Sequence, residues 1–442
     1  MQNKSTFNQN FVDWFRAVSP YIHAHRGQTF VVCFDGELLQ CANFSNFMQD
    51  IALLSSLGIR LVLVHGIRSQ VAQQLQEQGL QWCYANGWPI TDGRVLQSVK
   101  AACGVVKTEI ESYLSKGLSN TPTTNVCINT VSGNFITARP VGVRNGIDYC
   151  YTGEIRRVNT ATMIHYLNEG CVVLVSPLGY SPTGETFYLS IEEVASTVAI
   201  ALGAAKWICL TENNGIADET GRLIRQLTVV EAQQWLTNCQ QDSIVYSQLT
   251  QAIHACQRGV QRVHLVSQQT EGALLLELFT RDGIGTLISR NPFENIRKAT
   301  FNDIGGLLEL IKPLEEKGIL VRRSREKLEM EMHHFTVQER DGMIIACAAL
   351  YPFPEVKMAE LACLAIHNHY RGENRGDTLL AFLEREAKQA GMTQIFVFTT
   401  HTAHWFQERG FVIANLEALP LARRNLYNFQ RQSKLFIKQL LF

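Results

Sequence analysis

Between an apolar run, Glu360-Leu361-Ala362-Cys363-Leu364-Ala365-Ile366, and an amphipathic stretch from about residue 377 to 390 lies the turn Tyr370-Arg371-Gly372-Glu373-Asn374-Arg375-Gly376. The run reads as a buried strand and the stretch as a helix closed by Gly391. A turn of this kind at a helix start lines up backbone N–H groups with the positive end of the helix dipole. That makes an anion site, suited to a pyrophosphate. Other reactive residue types are less well arranged. His401-Thr402-Ala403-His404 has ligand-like spacing on a helix, but no third ligand accompanies it, so no metal is expected. Twelve cysteines sit mostly inside apolar runs, Cys33, Cys127, Cys171, Cys209 and Cys347 among them. None forms Cys-x-x-Cys, so reduced core thiols are expected rather than a zinc ribbon or a redox pair.

These residues need a scaffold larger than one ordinary core, and 442 residues imply two or three domains. The apolar fraction of 46% is that of a globular protein, with no run approaching a membrane span. The start, Met1-Gln2-Asn3-Lys4-Ser5-Thr6-Phe7-Asn8, has no signal-peptide character. Forty basic residues balance forty acidic ones, which argues against a nucleic-acid or membrane-surface binder. A soluble, cytoplasmic protein is the expectation.

Up to about residue 290, strand-like runs at 29–34, 60–65, 125–130, 172–176, 207–210 and 263–266 alternate with helical patterns at 44–57, 69–78, 95–114, 192–202 and 247–258. This predicts an α/β fold, an open and mostly parallel sheet sandwiched by helices, with ligands beyond the carboxyl ends of its strands. The pattern changes near Asn291-Pro292-Phe293. Asp303 then caps a helix to 317, a second helix covers 326–332, and strands 335–339 and 343–350 form a hairpin around Asp341-Gly342. The strand from Glu360, its turn and helix, a strand 394–399 and a helix 401–409 closed by Gly410 complete a smaller, mixed α/β domain. The predicted division is 1–290 and 291–442.

The order of elements after 291, with an Arg-Gly turn between a central strand and a helix, resembles the GNAT acetyltransferases. Their turn, Arg/Gln-x-x-Gly-x-Gly/Ala, cradles the pyrophosphate of acetyl-CoA. Arg371 and Gly376 fit it, while Asn374 replaces a usual glycine and tolerates left-handed backbone better than most residues. The segments Gly318–Glu326, Ala346–Pro352 and Trp405–Phe411, with the basic tail around Arg423-Arg424 and Arg431-Gln432-Ser433-Lys434, are similar to the bacterial N-acetylglutamate synthase family over nearly the whole chain.

The resemblance implies acetyl-CoA as co-substrate, L-glutamate as acceptor, and a role for each matching residue. The α-ammonium of an amino acid must lose a proton before it attacks, and Glu360 matches the family's base. A glutamate there can equally sit in a salt bridge. Backbone N–H groups near Cys363, Leu364 and Ala365 match the oxyanion donors, with Cys363 as wall rather than nucleophile. Thr399 matches the proton donor to the departing thiolate. Arg371, Gly372, Glu373, Asn374, Arg375 and Gly376 match the pyrophosphate turn. Arg323, Arg423 and Arg431 match the arginines on the two substrate carboxylates, with Ser433 as a hydrogen-bonding partner.

Up to 290 the chain resembles the amino-acid kinase family, through Leu61-Val62-Leu63-Val64-His65-Gly66, Ser176-Pro177-Leu178-Gly179 and Lys206–Thr211. Those kinases carry Lys-x-Gly-Gly after the first strand, where this chain has Cys33-Phe34-Asp35-Gly36. Phosphoryl transfer needs placed positive charge, so a degenerate kinase kept for regulation is expected unless Lys206 substitutes. The segment 274–286 resembles an arginine site, with Glu277 for the guanidinium and Gly283 for close backbone approach. The helix at 10–18 and Tyr21 resemble the mobile helix covering that site, where L-arginine would inhibit. Exposed Phe11, Trp14 and Phe15 on it suggest a homo-oligomer, a hexamer by resemblance. Two other readings stand beside this one: an acetyltransferase for another amino acid or a protein N-terminus, and a non-catalytic arginine sensor.

Overall fold

The computed structural model describes residues 2–117, 128–239, 243–372, 374–425 and 433–440. It forms two compact units, Met1–Pro292 and Phe293–Phe442.

In the first unit, an eight-stranded sheet runs in the order Gln226–Thr228, Thr286–Ser289, Arg262–Ser267, Lys206–Thr211, Thr29–Phe34, Arg60–His65, Val172–Val175, Thr130–Val131. From Arg262–Ser267 to Thr130–Val131 every pairing is parallel, and only Thr286–Ser289 lies antiparallel to its neighbour Arg262–Ser267. Alternating side chains send Phe30, Val32 and Phe34 into one buried cluster and Val31 and Cys33 into the other. That two-faced burial is why these strands read as continuous apolar runs. The helices Phe44–Ser56 and Gly93–Ser115 cover one face. Ile191–Leu202 and Ile244–Gln257 cover the other. The strand expected at 125–130 begins at Thr130, and residues 118–127 lie outside the described residues. A further four-stranded sheet of Thr186–Tyr188, Leu178–Tyr180, Ile136–Pro140 and Gly153–Val158 was not foreseen, because its strands are short and half-exposed.

The second unit is a seven-stranded sheet ordered Glu294–Lys298, Phe335–Arg340, Met343–Phe353, Met358–Ile366, Gln394–Thr399, Lys434–Gln439, Val412–Ile413. Only Met358–Ile366 and Gln394–Thr399 pair in parallel. Asp341 and Gly342 both take positive φ, 49° and 78°, as a two-residue hairpin requires. The helix after the Arg-Gly turn, Arg375–Gln389, packs Leu379, Leu380 and Leu383 into a cluster with Leu361 and Val397. It begins two residues earlier than its sequence suggests. Glu294–Lys298 is a polar edge strand, and Lys434–Gln439, paired inside the sheet, lies in what reads as a basic tail, so neither strand was anticipated.

Candidate active site

Glu360 lies inside the central strand of the second unit, paired with Tyr351 on one side and Phe396 on the other. It is buried, 8% exposed, so its charge requires a partner. Arg423 supplies one: Nε donates to Oε2 at 2.5 Å and Nη2 to Oε1 at 2.9 Å. The guanidinium also lies 4.8 Å from the centre of the Phe398 ring. The salt bridge that a glutamate here can form is therefore present, and its cation is one of the arginines expected to hold substrate.

Two residues beyond Glu360 the strand is irregular. Ala349 faces Ala362 but Cys347 faces Ala365, so Cys363 and Leu364 together oppose Ala348. Cys363 takes φ 53°, a left-handed backbone uncommon for a residue other than glycine and accommodated here by the bulge. On the other side, pairing to Gln394–Thr399 ends at Leu361↔Val397. The backbone from Ala362 to Ile366 thus has a strand on one side only, which leaves part of it for a ligand. A hydrogen bond with Cys347, and then the Arg323 guanidinium, hold the Cys363 thiol below its ordinary pKa. Arg323 has the Cys363 thiol, the Tyr351 hydroxyl and the Glu331 carboxylate as polar neighbours, and Tyr351 donates to Glu331 at 2.6 Å.

Thr399 ends the strand Gln394–Thr399. Its Oγ1 accepts from the N–H of Thr402 at 3.0 Å and of His401 at 3.3 Å. Both lone pairs of a hydroxyl are then occupied, so in the 2.9 Å contact with the Thr402 hydroxyl Thr399 is the donor. That proton is the group's only one, so donating it to a ligand means turning the hydroxyl away from Thr402. Lys434 pairs with Thr399, and Ser433 directly precedes it, while Arg431 lies outside the described residues.

The Arg-Gly turn supplies the other half of the site. Asn374 occupies the N-cap position of the helix with φ 55°, the left-handed conformation its residue type allows, and its side chain does not cap the helix. Gly372 also has positive φ, 96°. The uncapped first-turn N–H groups and the helix dipole can receive an anion. Gly376 answers a different need: a Cβ there would stand 2.9 Å from Trp405 Cζ2 and 3.2 Å from Ile366 Cδ1. Arg371 is exposed, and Glu373 lies outside the described residues. Arg375 departs from the expected role as a phosphate contact. Its Nε and Nη2 bind Glu294 at 2.8–3.0 Å, its Nη1 donates to the Tyr370 carbonyl, and Arg340 shares the same carboxylate. Its side chain anchors the turn to the sheet, leaving only its backbone for a ligand.

In the first unit, the Asp35 carboxylate accepts from Gly36 N–H at 2.6 Å, and a Cβ on Gly66 would meet Asp35 Oδ1 at 2.7 Å. Burial raises the Asp35 pKa. The nearby Arg68 is held by both oxygens of Glu192 at 2.9 Å, beside a cavity of about 890 Å³ that Arg68, Trp88 and Tyr188 help to line. Lys206 is the first residue of its strand and pairs with Phe30, near the amino end of the Thr29–Phe34 strand. Asp35 follows the opposite, carboxyl end of that strand, so Lys206 cannot substitute for the missing kinase lysine.

Glu277, on the helix Ala273–Phe279, accepts from Ile284 N–H at 2.6 Å and Gly285 N–H at 2.9 Å through Oε2. Its Oε1 lies 2.6 Å from His264 Nδ1. Burial beside Lys206 lowers the His264 pKa, so the ring is neutral and donates from Nδ1, which leaves Nε2 an acceptor, buried without a hydrogen-bond partner. Gly283 takes φ 58°, and a Cβ on it would lie 2.5 Å from Glu277 Oε2. Three of roughly four acceptor positions on the carboxylate are filled, leaving about one for a guanidinium. Tyr21 lies on the helix Gln2–His25, 6.1 Å from the His25 ring, and His25 Nε2 contacts the Leu278 carbonyl at 2.9 Å. That helix therefore touches the one carrying Glu277. Phe11, Trp14 and Phe15 stand more than half exposed on it.

Sequence reasoning missed Tyr351, Glu294, Phe398, Trp405 and His264. Each acts through a residue outside its own element, from 13 to 81 positions away, and no local spacing announces such a partner. Among the described residues no group of three or more His, Cys, Asp or Glu is placed to hold a metal ion, and no helix is long and apolar enough to cross a membrane.

Residues 28–267 match the amino acid kinase family and residues 331–413 the acetyltransferase (GNAT) domain. Over 444 aligned positions covering both chains completely, the sequence is 49% identical to the amino-acid acetyltransferase of Pectobacterium atrosepticum and 47% identical to that of Yersinia pseudotuberculosis. It is also similar to the crystal structure of N-acetylglutamate synthase from Neisseria gonorrhoeae complexed with coenzyme A and L-arginine, with 38% identity and a TM-score of 0.88. That match covers 98% of this chain and all of the other. A second structure of that enzyme, with coenzyme A and N-acetyl-glutamate, gives a TM-score of 0.63 over the same coverage.

Proposed function

The chain belongs to the amino-acid acetyltransferase family, the N-acetylglutamate synthases, and we propose that it moves the acetyl group of acetyl-CoA to the α-amino group of L-glutamate with Glu360 as base. The observation that carries the roles is the coincidence, on one strand, of a buried carboxylate, a backbone bulge and the end of pairing to the next strand. Glu360 takes a proton from the α-ammonium. The freed amine attacks the thioester carbonyl, and N–H groups around Cys363, Leu364 and Ala365 stabilise the oxyanion. As the intermediate collapses, the Thr399 hydroxyl gives its proton to the departing sulfur, and the second proton shed by the nitrogen as it becomes an amide restores the hydroxyl. Arg323, Arg423, Arg431 and Ser433 bind the two substrate carboxylates. Arg371, Gly372, Glu373, Asn374 and Gly376, with the backbone of Arg375, hold the pyrophosphate.

Residues 1–290 form a kinase-like regulatory domain without kinase chemistry, since Asp35 stands where the phosphates' cation is needed and Arg68 is already paired. L-Arginine binds there against Glu277, Gly283 and Tyr21 and inhibits transfer. Its closeness to the helix bearing Phe11, Trp14 and Phe15 ties it to assembly, as a homo-oligomer and by family a hexamer, in the cytoplasm.

Release of free CoA from acetyl-CoA, measured with each amino acid and with or without arginine, tests the proposal. Glutamate-dependent release suppressed by arginine is expected, and no such release from folded protein overturns it. The cradle has its own test. Gly376→Val forces the Trp405 ring and Ile366 to move, so the second unit should lose about 1–3 kcal/mol of stability. Calorimetric titration should show CoA binding at least about tenfold weaker, as a displaced helix start implies. Unchanged CoA affinity removes Gly376 from the cofactor site.

A further inference from the structure

Glu360 is gripped in a way that works against its task. Both of its oxygens accept from one guanidinium, so the fork of Arg423 lies across the face of the carboxylate that an ammonium group must reach. The pair is largely buried, with side-chain exposures of 23% for Arg423 and 10% for Glu360, so neither charge can be abandoned there without cost. Only a group that replaces both partners at once releases the base.

Resting on the acetyl-transfer reading, we infer that the Glu360–Arg423 pair is a reader for an α-amino-acid zwitterion. The α-carboxylate displaces Glu360 from the fork of Arg423, and the α-ammonium takes the place of Arg423 beside Glu360. One ion pair exists in the site before the exchange and two after it, so no buried charge is left alone. Glu360 ends beside the very proton it must remove. Phe398 packs against the guanidinium and holds it in place during the exchange. An amine without an adjacent carboxylate, such as a peptide N-terminus, leaves the fork closed on Glu360. Discrimination therefore appears in kcat as well as in KM, because such a substrate occupies the site without freeing the base.

The test uses full-length protein, acetyl-CoA, and two acceptors: L-glutamate and its α-amide, which keeps the γ-carboxylate. The amide's amino group is the less basic, so intrinsic acidity favours it. Its kcat is nonetheless expected to be about 100-fold lower, or less. In Arg423→Gln the ratio of the two kcat values should fall towards one, with CoA binding and thermal melting confirming that the variant folds. Equal kcat for the two acceptors in the unaltered protein, which needs no variant, overturns the inference. So does a ratio that persists in folded Arg423→Gln. Absence of glutamate turnover in the unaltered protein overturns the acetyl-transfer reading itself, and the inference with it.

Discussion

Glu360→Gln is expected to lower kcat by about 10²- to 10⁴-fold, the usual worth of a positioned general base, while CoA binds as before. Glutamine keeps the shape of the side chain and one oxygen for Arg423, but it cannot accept the ammonium proton. Alanine is the poorer probe, because it removes the partner of a largely buried guanidinium and mixes lost chemistry with lost packing. The two losses separate in the pH profile of Glu360→Gln, whose remaining rate should climb with pH as the substrate's own ammonium dissociates unaided. Stopped-flow or steady-state thiol detection of CoA reads it. A kcat within about threefold of the original removes Glu360 as the base.

How much of this was legible in the sequence depends on how local the physics is. Thr29–Phe34 and Arg60–His65 are buried on both faces, so their apolar runs gave their bounds directly. Asp341-Gly342 announced its hairpin, and Asn374 its left-handed turn, because both are rules of a single residue's backbone. Glu294–Lys298 failed that test, for an edge strand of charged residues has no apolar signature, yet its Glu294 decides what Arg375 does. Arg423 and Glu360 stand 63 positions apart, and Arg375 and Glu294 stand 81 apart. The resemblance marked Arg423 for a substrate carboxylate and Arg375 for the pyrophosphate, and it could not say that both bind carboxylates of the chain itself. Lys206 illustrates the same limit. Only the direction of the parallel strands shows that it lies at the end of the sheet away from Asp35.

The second large effect concerns Glu277, and it has two components that separate experimentally. Glu277→Ala strips the partner from His264 Nδ1 and from the N–H groups of Ile284 and Gly285, all drawn in close around a buried carboxylate. Unsatisfied buried donors cost about 1–3 kcal/mol each, partly relieved where water enters, so the first unit should lose roughly 3 kcal/mol. Arginine should then no longer inhibit, because the Gly283–Gly285 turn loses the group it wraps around, while arginine-free turnover is largely kept. Glu277→Gln separates charge from scaffold. Burial alone would raise the Glu277 pKa, but the His264 hydrogen bond and the two N–H donors outweigh it and carry the carboxyl from about 4.5 down to about 2. A folded-state pKa depressed in this way contributes stability above pH about 4.5 and loses it as pH falls towards 2. Denaturant unfolding of the unaltered protein followed by far-UV circular dichroism should show that acid-dependent loss, and Glu277→Gln should lack it. A calorimetric titration with arginine at neutral pH completes the pair. If Glu277→Gln keeps full arginine sensitivity, the carboxylate supports the turn alone and the guanidinium is held elsewhere.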